Sequence, residues 1–213
     1  MEREIEIPSD GGILRGILAL PAEPEGLIIF VHGSGSSRFS PRNAFVAKVL
    51  RQAGFATLLM DLLTVEEESD RKNVFDIPLL AGRLQSATAW ARSAPETATL
   101  PVGYFGASTG AAAALSACAA ADADVFAVVS RGGRPDLAEE RLARVKAPTL
   151  LIVGGDDDAV IELNETAFEK ISAEKQLVIV PGATHLFEEP GTLEEVARLA
   201  ADWFSGHVVT RRL

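Results

Sequence analysis

The chain carries one cysteine, one tyrosine, two tryptophans and two methionines among its 213 residues. A lone thiol, Cys118, excludes an intrachain disulfide and argues against a thiolate metal site, which fits a reducing compartment. Long apolar runs are also missing, and no stretch approaches the roughly 18 uninterrupted apolar residues of a membrane span. The start, Met1 to Ile7, lacks the basic segment and apolar run of a secretory signal, so a cytoplasmic location is expected. Positive charge is in short supply, with 20 Lys and Arg against 30 Asp and Glu. The resulting net charge of −10 disfavours nucleic acid and anionic membrane surfaces as partners, because neither offers counter-charge. Part of that charge lies in two runs, Glu66-Glu67-Glu68, read as a solvated face, and Asp156-Asp157-Asp158. No linker and no internal repeat interrupts the chain, which reads as one domain over residues 1–213.

What is present is a composition of 47% hydrophobic and 23% charged residues, ordinary for a globular enzyme. Arg3 to Ile7 alternates and Ile13 to Leu20 is largely apolar, and the turn residues between them predict an opening hairpin. Short apolar runs then follow at 27–31, 55–60, 102–105, 125–129, 149–153 and 177–180. Helical patterns lie between and after them at 41–52, 77–92, 108–121, 136–145, 162–171 and 192–204. Continuous apolar strands alternating with helices are the pattern of a parallel sheet covered on both faces. An α/β fold with an eight-stranded, mostly parallel sheet is expected. The charged stretch Leu62 to Asp76 is too short for a cap domain and reads as a loop or a turn of helix.

In such sheets ligands bind beyond the carboxyl ends of the strands. Gly106-Ala107-Ser108-Thr109-Gly110 stands at one of those ends and matches G-x-S-x-G, between a strand signal and the helix-forming run Ala111 to Ala121. Its glycines allow a sharp strand-to-helix turn, which makes Ser108 the candidate nucleophile. A serine hydroxyl needs a base to take its proton. Of three histidines, His185 follows the last strand through Pro181-Gly182-Ala183, His32 ends the first parallel strand in a loop-shaping place, and His207 lies beyond the last helix without an obvious tether. His185 is the expected base. The imidazole needs a carboxylate behind it. Asp157 is the choice, four-residue spacing Asp157-x-x-Val160 favouring it over Asp156 and Asp158. Backbone N–H groups of Thr109 and Ser34 are the candidate oxyanion donors, with Gly33 and Gly35 as alternates for the second. A phosphate loop at His32 to Ser37 is excluded by the missing G-K-[ST].

These residues resemble the α/β-hydrolase superfamily, and within it the small dienelactone-hydrolase-like proteins. The resemblance runs over nearly the whole chain, through His32-Gly33-Ser34-Gly35, Asp61-Leu62-Leu63-Thr64, Phe75 to Leu80, the Ser108 motif, Ser130 to Pro135 and Pro181 to His185. It implies the α/β-hydrolase fold and the triad Ser108, Asp157 and His185, and it is strongest toward a bacterial subgroup also found fused to phosphoribosyltransferase-like domains. Dienelactone hydrolases proper use a cysteine nucleophile. Ser108 stands there instead, and Cys118, ten positions on, cannot substitute. The expected substrate is a small ester or thioester, with no cofactor and no metal. A non-catalytic binding module on the same fold is the rival class. Arg131 is placed either to hold a substrate carboxylate or phosphate or to brace a loop through an ion pair. Phe39, Leu62, Leu63 and Phe187 stand on loops at the same edge, where they line an acyl pocket or pack the loops.

Overall fold

The opening alternation forms a hairpin in which β1 (Glu2–Ser9) pairs antiparallel with β2 (Gly12–Ala19). Then follow β3 (Gly26–Val31), α1 (Pro41–Gln52), β4 (Phe55–Met60), α2 (Val65–Glu68), α3 (Arg71–Val74) and α4 (Ile77–Ser93). The second half contains β5 (Val102–Ala107), α5 (Thr109–Cys118), β6 (Val125–Arg131), a 3-10 segment (Pro135–Arg144), β7 (Thr149–Gly154), α6 (Asp158–Lys170), β8 (Lys175–Val180) and α7 (Thr192–His207). This computed structural model describes residues 1–208.

One eight-stranded sheet results, in the order β1-β2-β4-β3-β5-β6-β7-β8, parallel from β4 through β8 and antiparallel only at β1 and β2. Every residue of β3, β4, β5 and β7 is buried, which explains why these strands are continuous apolar runs rather than alternating ones. On one face α1 and α7 cover Ile28, Phe30, Phe105, Val129 and Ile152. On the other, α4, α5, α6 and the 3-10 segment cover Ile29, Val31, Tyr104 and Val128. All ten residues of α5 are buried, a position that small side chains such as its four consecutive alanines permit.

Local chemistry sets the element starts near the site. Ser40 caps α1 by accepting from Asn43 N–H, with Pro41 in the first turn, and Asp76 caps α4 by accepting from Leu79 N–H. Three expectations are corrected. The segment expected as a helix over 136–145 is 3-10 and broken, because Glu139 takes φ 51° inside it. Glu67 is not part of a solvated face, since it pairs with Arg83, which is only 7% exposed, and closes a capping box with Thr64. His207 ends α7 and is tethered, its Nε2 lying 3.2 Å from Glu174.

Candidate active site

Strand register brings the chemistry-bearing loops to one edge. Val31 pairs with both Met60 and Gly106, and Ala107 with Arg131, so His32, Asp61, Ser108 and Gly132 all follow directly at the carboxyl ends. Ser108 sits between β5 and α5 at φ 51° and ψ −124°. A non-glycine residue held there costs on the order of 1–3 kcal/mol. The turn depends on its glycines: a Cβ on Gly106 would press into the Ala111 backbone, and one on Gly110 would overlap the Val31 carbonyl oxygen. The Ser108 backbone is fixed from both sides, its N–H donating to Arg131 O at 3.3 Å and its carbonyl accepting from Arg134 N–H at 3.0 Å. The hydroxyl is left half-buried at the edge of the sheet.

His185 is brought to Asp157, with Nδ1 2.7 Å from Oδ2. The carboxylate can only accept, so Nδ1 carries the proton and Nε2 is left as the basic nitrogen. Asp156 and Asp158 are exposed, and neither side chain contacts His185. Backbone pairing aligns the two loops, Asp156 N–H donating to Ala183 O at 2.9 Å. Glu189 steadies the histidine loop by accepting from Thr184 N–H at 3.0 Å and Thr184 Oγ1 at 2.7 Å, and these bonds hold its carboxyl below the usual range. Sequence reading missed Glu189, which had no motif to mark it. The end of β6 touches both loops, Arg131 O accepting from Ser108 N–H and Gly132 packing so near His185 that a Cβ there would meet its carbonyl oxygen at 3.0 Å. Among the described residues Ser108 Oγ has no hydrogen bond, so the serine and histidine share this edge without being joined by one.

The two candidate oxyanion donors are neighbours. Thr109 N–H opens α5, where the first-turn amides lack helical acceptors. Ser34 N–H is turned to the Thr109 hydroxyl, donating to Oγ1 at 3.0 Å. Their loop is clamped from below. Arg38 pairs with Asp61, whose Oδ1 also accepts from Arg38 N–H at 2.7 Å. Leu62 N–H donates to His32 Nε2 at 3.2 Å, so His32 is neutral with its proton on Nδ1, 2.9 Å from Gly33 O. His32 is thus a loop brace, in agreement with its expected place.

Burial pushes the His32 pKa down from 6.5. The unfolded chain therefore binds a proton that the folded one refuses, and stability is retained above pH 6.5 and lost as pH falls below it. Each unit inside that window costs up to about 1.4 kcal/mol. Urea unfolding from pH 7 to pH 5 should show a falling midpoint, and His32→Gln should flatten that slope in this interval.

A cavity of ≈ 180 Å³ adjoins Ser34 and Thr109, with Leu62, Leu63, Val65, Val74 and Leu80 as its aliphatic lining and His32, Arg38, Asp61 and Glu68 among its polar lining. The short helices α2 and α3 form its wall, anchored by the Glu67 to Arg83 pair and by Asn73 Nδ2 donating to Glu67 O at 2.8 Å. Leu62 and Leu63 therefore line a pocket, Leu62 also packing in the core. Phe39 does not: it is 59% exposed, with the Arg38 guanidinium 4.1 Å from its ring. Phe187 is buried beside Gly132, at φ 56°, and packs the histidine loop. Arg131 is buried as well, and no ion pair braces it among the described residues. Burial raises the Cys118 thiol to about 11, which leaves it inert. The described residues contain no cluster of His, Cys, Asp and Glu placed for a metal, and no described helix is long and apolar enough to cross a membrane.

On this doubly covered sheet, with a strained serine turn leading from β5 into α5, the protein is an α/β hydrolase. It belongs to the dienelactone hydrolase family, which residues 14–205 match. It is 60% identical over 207 residues to a Mycobacterium tuberculosis H37Rv protein provisionally named a phosphoribosyl transferase. That match covers 97% of this chain and 47% of the relative, so the chain spans about half that relative's length. A dienelactone hydrolase from Anabaena variabilis is 55% identical, with a TM-score of 0.94 over 98% of this chain and 99% of that one. Est1E from Butyrivibrio proteoclasticus shares the fold at 17% identity, with a TM-score of 0.82 over 96% and 98% of the two chains. So does a lidless α/β serine hydrolase from Xanthomonas campestris, at 19% identity and a TM-score of 0.80 over 97% and 95%.

Proposed function

We propose that the protein hydrolyses small carboxylic esters through an acyl-enzyme on Ser108, with His185 as base and Asp157 orienting it. The observation that carries this reading is the 2.7 Å contact of His185 Nδ1 with Asp157, which leaves Nε2 as the basic nitrogen on a loop at the same carboxyl edge of the sheet as Ser108. Ser108 Oγ attacks the ester carbonyl carbon as its proton passes to His185 Nε2. The oxyanion forms against Thr109 N–H and Ser34 N–H, which requires Ser34 to release Thr109 Oγ1. The C–O bond to the alcohol breaks, and His185 returns the proton to the departing oxygen. Water then gives a proton to His185 and attacks the acyl carbon, and Ser108 recovers its proton as the acid leaves. The Ser108 to His185 hydrogen bond forms as substrate binds, as is common for apo sites. The aliphatic side chains of the small cavity, Leu62, Leu63, Val65, Val74 and Leu80, suit a short acyl chain.

The test is labelling of the folded protein with a fluorophosphonate, followed by mass spectrometry, alongside turnover of p-nitrophenyl esters and matched thioesters of two to eight carbons. Adduct on Ser108 and turnover of short acyl esters are expected. Absence of both, in protein shown folded by circular dichroism, would leave a binding module in place of an enzyme.

A further inference from the structure

Arg131 is 5% exposed, yet no carboxylate pairs with it among the described residues. The other deeply buried arginine, Arg83, has Glu67. A buried guanidinium without a counter-charge is costly, so its retention calls for a partner that comes and goes. Among the described residues its one hydrogen-bond acceptor is Asn43 Oδ1, at a long 3.4 Å, its Nε has none, and the Phe187 ring centre stands 5.9 Å from the guanidinium carbon. A second cation stands beside it: Arg42, whose Nε is also buried without a partner and whose Nη1 reaches the exposed Glu188 at 3.2 Å. Burial first, and the nearby Arg42 second, press the Arg131 pKa down to about 10.

The sheet order fixes where this corner lies. β3 and β4 are on one side of β5, and the cavity is lined by the residues that follow them, from His32 and Asp61 onward; β6, which carries Arg131, is on the other side. Arg131 O accepts from Ser108 N–H, and Gly132, the next residue, lies against His185. His185 must protonate the departing oxygen, so a leaving group sits on the His185 side, which is the Arg131 side. We infer that Arg131, with Arg42 and Asn43, binds a carboxylate or phosphate on the leaving group of the substrate. The inference rests on the ester-hydrolase reading above. The substrate class is then an ester with a short apolar acyl chain and an anionic alcohol, and the planar guanidinium fork matches that anion.

The experiment compares 4-butyryloxybenzoate with its neutral methyl ester, and follows thermal unfolding with and without inorganic phosphate. Wild type is expected to favour the anionic ester in kcat/KM by about 10-fold or more, and Arg131→Met to lose that ratio. Phosphate should raise the wild-type Tm by about 5 °C and leave that of Arg131→Met in place. Without phosphate the variant should melt at or above wild type, since it sheds an unpaired buried charge; a purely structural arginine would give a clear drop. Arg42→Gln, at a half-buried position, serves if Arg131→Met does not fold, and should lose most of the same preference. An anionic-to-neutral ratio near one in wild type, a ratio unchanged in the variants, or no phosphate shift would overturn the inference. Failure of the ester-hydrolase reading shows separately, as no turnover of either ester and no fluorophosphonate adduct, and the phosphate shift is read without turnover.

Discussion

Ser108→Ala is expected to lower kcat for a short ester by on the order of 10⁴-fold or more, with KM changed only a few-fold. Alanine removes the atom proposed to form the acyl bond and keeps everything else, including the Cβ and the strained φ of 51°. Residual turnover above the rate in water would come from the Thr109 and Ser34 amides. Ser108→Gly separates chemistry from strain. It should be equally inactive, but glycine adopts this backbone without penalty, so relief of about 1 kcal/mol should raise Tm by about 2–4 °C. Steady-state kinetics with calorimetry on both variants checks the pair. Near-normal turnover in Ser108→Ala would remove the serine from the reaction.

That strain was not visible in the sequence, though the turn that contains it was. Gly106 and Gly110 announce a place where backbone approaches backbone, and β5 and α5 around them are written as an apolar run and an alanine-rich run. The strands were legible for a related reason: burial on both faces leaves β3, β4, β5 and β7 without a charged residue and almost wholly apolar. Contacts made by side chains far apart in the chain were not legible. Glu67 looked like one of three solvent-facing acids, yet its partner Arg83 stands 16 positions on, and only the packed fold brings them together. The Ser34 amide meets a hydroxyl 75 positions away, so the residue could be named from its loop while the direction of its N–H could not. The 136–145 segment has the spacing of a helix, but Glu139 at φ 51° breaks it, and nothing in its residue type signals that. Arg131 could be placed at a strand end; the absence of an acid beside it needed the fold.

Asp157→Asn is expected to lower kcat by about 10⁴-fold, again with little change in KM. The oxygen 2.7 Å from His185 Nδ1 holds the tautomer in which that nitrogen carries the proton. An asparagine can present its NH₂ group there instead, which leaves Nδ1 as acceptor and moves the proton to Nε2. His185 would then face Ser108 with a donor where the reaction needs a base. Asp156→Asn and Asp158→Asn should stay within a few-fold of wild type, because both carboxylates are exposed and neither contacts His185. The tie from Asp156 to the histidine loop runs through its backbone N–H to Ala183 O, which asparagine preserves. Asp158 stands in the first turn of α6, so its loss should cost only about 0.5 kcal/mol of stability through the helix dipole. Asp157→Ala, which cannot impose the wrong tautomer, should be less damaging than Asp157→Asn. That ordering of the four variants in kcat distinguishes a carboxylate that sets a proton's position from one that merely adds negative charge to the loop, for which all three asparagine variants would lose activity alike.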